Sequence, residues 1–137
     1  MDPTLQEVYE QLQARELDTR EEIFRMYPSF FATGVPGRLG KAVRPNVVRS
    51  WWRYERVFAF RHAGHYHFPA FQFSNGAPKP LVRRLLKFVK PDHGWHAMYW
   101  FVGANAWLEA RSPVELLDAA PEKVVQAAER ANDRISD

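Results

Sequence analysis

Cysteine is absent from the chain, so it can carry no disulfide framework and run no thiol chemistry. No stretch approaches the roughly 18 apolar residues that a membrane-spanning helix needs. The opening Met1-Asp2-Pro3-Thr4 lacks the basic and apolar regions of a secretory leader. A cytoplasmic protein without membrane contact is the expectation. Also missing are a glycine-rich phosphate loop, a G-x-S-x-G elbow and an H-E-x-x-H helix. Most acids fall on the polar faces of the terminal helical segments, where carboxylates are solvated or capping. No catalytic residue and no cofactor is therefore expected, and the chain reads as a binding protein. It has no internal repeat and no low-complexity segment.

What is present is enough for one folded domain. The 137 residues are 46% apolar and 15% aromatic, a composition that can bury a large core and argues against disorder. The net charge is +3, but its distribution says more than its size. Residues 1–25 carry seven acids against three bases, residues 26–108 twelve bases against two acids, and residues 109–137 seven acids against four bases. A basic middle between acidic ends suggests a surface turned toward a polyanion.

Helix signals dominate the chain. Asp2 and Pro3 suit a cap and first position, Thr4 with Glu7 offers an alternative capping box, and Leu5, Val8, Tyr9 and Leu12 follow at helical spacing. Thr19 with Glu22 reads as a second start, opening a short helix that ends before Pro28. Residues 28–43, rich in glycine and proline, read as a long loop. Pro45 begins a helix with Val47, Val48, Trp51 and Trp52 inward and Arg49, Arg53 and Arg56 outward. A hairpin follows around a three-residue loop, His62-Ala63-Gly64, a register that puts Phe58, Phe60, Tyr66 and Phe68 on one face. Asn75-Gly76 marks a turn. Further helices are expected from Pro80 to Val89, from Trp95 to Val102 with Asp92 as cap, from Ser112-Pro113-Val114-Glu115, and from Pro121 with Val124, Val125 and Ala128 inward.

The fold class implied is mainly α, a compact helical domain with one small wing-like β-hairpin in its middle. Residues 1–73 form an N-terminal helical region with the basic helix and hairpin, and residues 74–137 a helical C-terminal part. His62, His65 and His67 crowd the hairpin, yet without a cysteine or a nearby carboxylate they read as exposed histidines, and no metal ligand is assigned. A helix with an arginine stripe beside a two-stranded wing suits a major groove. Arg44, Arg49, Arg53, Arg56 and Arg61 are the candidate DNA contacts. The apolar segment 95–102 must be buried somewhere, which would suit a homodimer.

The second half is more specific. Phe68-Pro69-Ala70-Phe71-Gln72-Phe73, then Trp95 to Phe101, then Asn105-Ala106-Trp107-Leu108-Glu109-Ala110-Arg111-Ser112-Pro113-Val114-Glu115-Leu116-Leu117 and Pro121 to Val125 resemble the toxin-binding half of the Xre/MbcA/ParS antitoxins. The diagnostic block runs from Asn105 to Leu117. The segment Arg44 to Phe73 also resembles the short DNA-binding region ahead of that block in a subset of the family. The resemblance implies a RES-type toxin partner that consumes NAD, an active site occluded by the antitoxin, and repression of the pair's own promoter at operator DNA. It implies toxin-facing positions at Trp107, Leu108, Arg111, Pro113 and Leu117, with a C-terminal end (Arg134, Ile135 and Asp137) that reaches the toxin's pocket. Two departures stand out: Glu109-Ala110 replaces the family's glycine pair, and Ala104 its usual proline. The alternative is a stand-alone DNA-binding regulator with no toxin.

Overall fold

The computed structural model describes residues 4–90 and 94–136. Asp2, Pro3, Asp92 and Asp137, to which caps and a tail contact were assigned, lie outside the described residues. In chain order the elements are α1 (Leu5–Met26), β1 (Ser29–Phe30), α2 (Pro45–Arg53), β2 (Phe60–His62), β3 (His65–Pro69), β4 (Phe73–Ser74), β5 (Ala77–Pro78), α3 (Pro80–Leu86), α4 (Trp95–Val102), α5 (Pro113–Leu116) and α6 (Pro121–Ser136). Single 3-10 turns lie at Ala70–Gln72 and Ala106–Leu108. The domain is mainly helical with a small antiparallel sheet.

α1 is one helix of 22 residues, not two. Its capping box is real: the Thr4 hydroxyl accepts from the Glu7 N–H while the Glu7 carboxylate accepts from the Thr4 N–H. Thr19 does not cap a second helix. Its hydroxyl donates to the Arg15 carbonyl one turn back, at 2.8 Å, a bond that a threonine makes within a continuous helix.

The hairpin corrects the expected register. Phe60 pairs with His67, Arg61 with Tyr66 and His62 with His65, leaving a two-residue loop of Ala63 and Gly64, both at positive φ (50° and 80°). Such a turn matches the twist of the flanking strands, and the strain at Ala63 is accepted for it. The one-residue slip reassigns faces. Phe58, Phe60 and His67 turn to one side, where Phe60 meets Trp95 of α4 and His67 meets Phe24 of α1. Tyr66 and Phe68 turn to the other, against Trp52 of α2. β1 joins the far edge of β3. The wing is thus part of a three-stranded sheet, β3 at its centre and β2 at one edge, with helices on both faces.

Two apolar clusters follow from that alternation. Phe58 and Phe60 belong with Ile23, α3, α4, α5 and α6; Val57, Ala59 and Phe68 belong with Val35 and Val48. The main cluster therefore crosses residue 73. α4, apolar on nearly every side, is covered within its own chain: Trp95, Ala97, Met98 and Phe101 are buried, and the Trp95 indole donates to the Arg61 carbonyl at 2.7 Å. Gly94 starts α4 at φ 87° against β2, where a Cβ would run into the Ala59 carbonyl oxygen. The fully buried Gln72 side chain ties the 3-10 turn to the segment just ahead of β2, accepting from the Phe58 N–H at 3.0 Å and donating to the Phe58 carbonyl at 2.8 Å.

Candidate functional site

The block from Asn105 to Leu117 forms a tight turn leading into α5. The Asn105 side chain accepts from the Trp107 N–H at 2.9 Å, and its carbonyl takes the N–H groups of Leu108 and Ala110. The Asn105 N–H in turn donates to the Arg111 carbonyl at 3.0 Å. One asparagine therefore closes the turn from both ends. Ser112 then caps α5 by accepting from the Glu115 N–H at 3.3 Å, with Pro113 in the first turn. To make the reversal, Glu109 and Ala110 adopt φ of 56° and 67°. Both lie in the left-handed region, which favours glycine over a residue with a Cβ.

The turn sorts the candidate residues by direction. Leu108, Pro113 and Leu117 are buried. Leu108 and Leu117 join the main cluster, because the reversal drives them down toward α6. Trp107, by contrast, is 53% exposed, and Arg111 is exposed beside it, its guanidinium 3.3 Å from Glu115. The backbone of Arg134 and Ile135 continues α6; their side chains are outside the description.

Between this turn and α6 lies a cleft of about 400 Å³, lined by Trp107, Arg111, Leu116, Lys123, Ala127 and Arg130 among others. Arg130 sits over the Trp107 ring at 5.2 Å, a cation–π contact that holds the indole upright. Lys123 and Arg130 escaped the sequence reading because they belong to the polar side of α6, far along the chain from Trp107. Their seven-residue spacing, which stacks them about two turns apart on one face, was the signal available. The cleft has an apolar floor, an aromatic wall and a rim on which Arg111, Lys123 and Arg130 outnumber one acid, Glu109. It can take an aromatic or aliphatic group that carries negative charge nearby.

The candidate DNA contacts occupy a different face. Arg49 and Arg53 are exposed one turn apart on α2, and Arg44 is exposed just ahead of it. Arg56 leaves the stripe: it is half-buried beyond the helix end, with its guanidinium 6.0 Å from the Trp51 ring. Arg61 is exposed as the cross-strand partner of Tyr66, on the sheet face that adjoins α2.

Of the three hairpin histidines expected at the surface, His65 is exposed, whereas His62 and His67 are not free. His67 is only 7% exposed, enclosed by Phe24, Phe31 and Phe60. Burial holds its pKa below the ordinary 6.5; a hydrogen bond with the His62 backbone pulls the other way, and the charges of His62 and His65 add to the lowering. The His62 ring stacks on Phe24 at 3.8 Å, and its Nε2 lies 2.6 Å from the Glu21 carboxylate. These contacts fasten α1 to the sheet. Among the described residues, no group of three or more histidine, acidic or cysteine side chains is placed to hold a metal ion.

Compared with protein-family models, curated proteins and solved structures, the chain has no significant match. Among the described residues no helix is long and apolar enough to cross a membrane.

Proposed function

We propose that this protein is an antitoxin that binds a RES-type, NAD-consuming toxin through the face built by the Asn105–Leu117 turn and α6. The observation that carries the reading is Trp107: a half-exposed indole on a turn held at both ends by hydrogen bonds, steadied by Arg130 over its ring. A rigid, exposed aromatic beside cations is the usual make-up of an interface hot spot, costing little ordering entropy when it enters a partner's pocket. Inhibition would be steric, the face and the end of α6 excluding NAD from the toxin's cleft, with no catalytic step in this chain.

Co-expression with a RES-type toxin encoded beside this protein tests the reading. Growth should be restored by the native chain, and Trp107→Ala should weaken the complex by about 30-fold or more, as for a hot-spot aromatic. A toxin that remains lethal beside the soluble native protein overturns it.

The exposed Arg44, Arg49, Arg53 and Arg61 favour a second activity, contact with operator DNA, and would serve a stand-alone regulator equally. Promoter binding should weaken steeply with salt as phosphate contacts release counterions. Arg49→Glu with Arg53→Glu should abolish it; unchanged affinity would exclude α2 as the contact surface.

A further inference from the structure

The first part of α1 has no counterpart in the body. Every residue from Thr4 to Thr19 is exposed, a helical arm about 24 Å long at the usual rise per residue. Contact with the body begins at Arg20, whose Nε donates to the Tyr99 hydroxyl at 2.9 Å, and at buried Ile23. The arm nevertheless carries Leu5, Val8, Tyr9 and Leu12, exposed by 90%, 37%, 59% and 56%. Their i, i+3, i+4, i+7 spacing is that of a helix face meant to be covered. Ile23 follows Leu5 by 18 residues, about five whole turns. The face that docks on the body at Ile23 is thus the same one that runs on, uncovered, along the arm. A helix of this length without tertiary packing is marginal in water, and its capping box offsets only part of that.

We propose that two copies of this chain pair through α1, each arm covering the other's stripe in antiparallel register. The stripe is complementary to itself. With Leu5 opposite Leu12 of the second copy, Val8 falls opposite its Tyr9, and all four side chains of both copies are used in one isologous contact. Its borders suit a like-charged partner. Around the helix the positions flanking the stripe are Gln6, Gln11, Gln13 and Arg15, so no carboxylate meets a carboxylate across the twofold axis. Glu7, Glu10 and Asp18 lie on the far side. Glu16, past the end of the stripe, is held by Arg20 at 2.8 Å. That acidic far side also disfavours an anionic membrane or nucleic acid as the occupant. Covering the four side chains and their glutamine borders on both copies removes on the order of 1,200 Å² from water, the lower end of specific interfaces. The dimer should be reversible and in the micromolar range.

Sedimentation velocity on the full chain, from about 1 to about 300 µM to bracket such an affinity, tests the pairing. A reversible monomer–dimer equilibrium is expected. Leu12→Glu should weaken it at least tenfold, while the far-UV spectrum and melting midpoint of the body stay as they are. Leu17, equally exposed at 62%, points away from the stripe, so Leu17→Glu should leave the equilibrium unchanged. Because the chain has no cysteine of its own, Tyr9→Cys should link two copies under mild oxidation and Leu17→Cys should not. A chain that is monomeric throughout, or a dimer indifferent to Leu12→Glu, overturns the proposal. Neither outcome bears on toxin binding through Trp107.

Discussion

α1 and α6 are built by the same rules and end differently. Each opens on a clear start signal, each is amphipathic, and they run for 22 and 16 residues. α6 lays Val124, Val125, Ala127 and Ala128 into the core, and these small side chains let it come close to α3, α5 and the Trp107 turn. The arm of α1 carries larger apolar residues, also at helical spacing, and buries none of them before Ile23. Periodicity in a sequence therefore tells which side of a helix seeks cover. Whether the cover comes from the same chain depends on where the rest of the body ends.

The sharpest way to break this comparison is one charge placed on each stripe. Val124→Asp strands an unpaired carboxylate in a fully buried site and should cost about 4 kcal/mol or more. Leu12→Asp, read by urea denaturation at a concentration where the chain is monomeric, should change stability by less than about 0.5 kcal/mol. Equal losses would mean that the arm is packed after all.

A smaller effect sharpens the junction between arm and body. Unfolded His67 titrates near 6.5, and the folded ring, enclosed by Phe24, Phe31 and Phe60 and facing His62, His65 and Glu21 nearby, is held below that. Below pH 6.5 the unfolded chain takes up a proton that the folded ring resists. Stability from this group should then fall as pH drops from that value toward the depressed one, by at most about 1.4 kcal/mol per pH unit, and level off beneath it. Denaturation curves from pH 7.5 to pH 5 should show the slope, and His67→Phe should remove it. A slope that survives the substitution would assign it to another group.

The smallest effect concerns the turn beneath α6. Glu109→Gly or Ala110→Gly relieves a left-handed residue worth about 1–2 kcal/mol, offset by the greater freedom of glycine in the unfolded chain. A net gain below about 1 kcal/mol is expected in thermal melts. A loss would show that the two side chains contribute contacts of their own.

Much of the fold was legible in the residues. The capping box at Thr4, the N-cap at Ser112, the prolines at 45, 80, 113 and 121, and the Asn75-Gly76 turn each mark an element that forms. Other features were hidden for physical reasons. Thr19 and Glu22 imitate a helix start because a threonine that bonds back to Arg15 and one that caps look alike in sequence. The hairpin register turned on Ala63 accepting a positive φ, which alanine rarely does. That single residue reversed the direction of Tyr66 and Phe68. For the candidate site, Trp107 and Arg111 were visible in a compact block, whereas Leu108, Pro113 and Leu117 proved to be its foundation. Lys123 and Arg130 become neighbours of Trp107 only once α6 folds back.

The Gln72 side chain gives a chain without cysteine something close to a cross-link. Its two hydrogen bonds to Phe58 span a separation of 14 residues and close off the segment that holds the hairpin. A disulfide around a loop of that size would contribute about 3 kcal/mol, while two amide bonds contribute roughly 1 kcal/mol each. The clasp is weaker, but oxidants and reductants cannot touch it, and it can open and re-form without a redox partner. The sheet that joins α1, α2 and α4 is thereby kept closed in the same way under reducing and oxidising conditions.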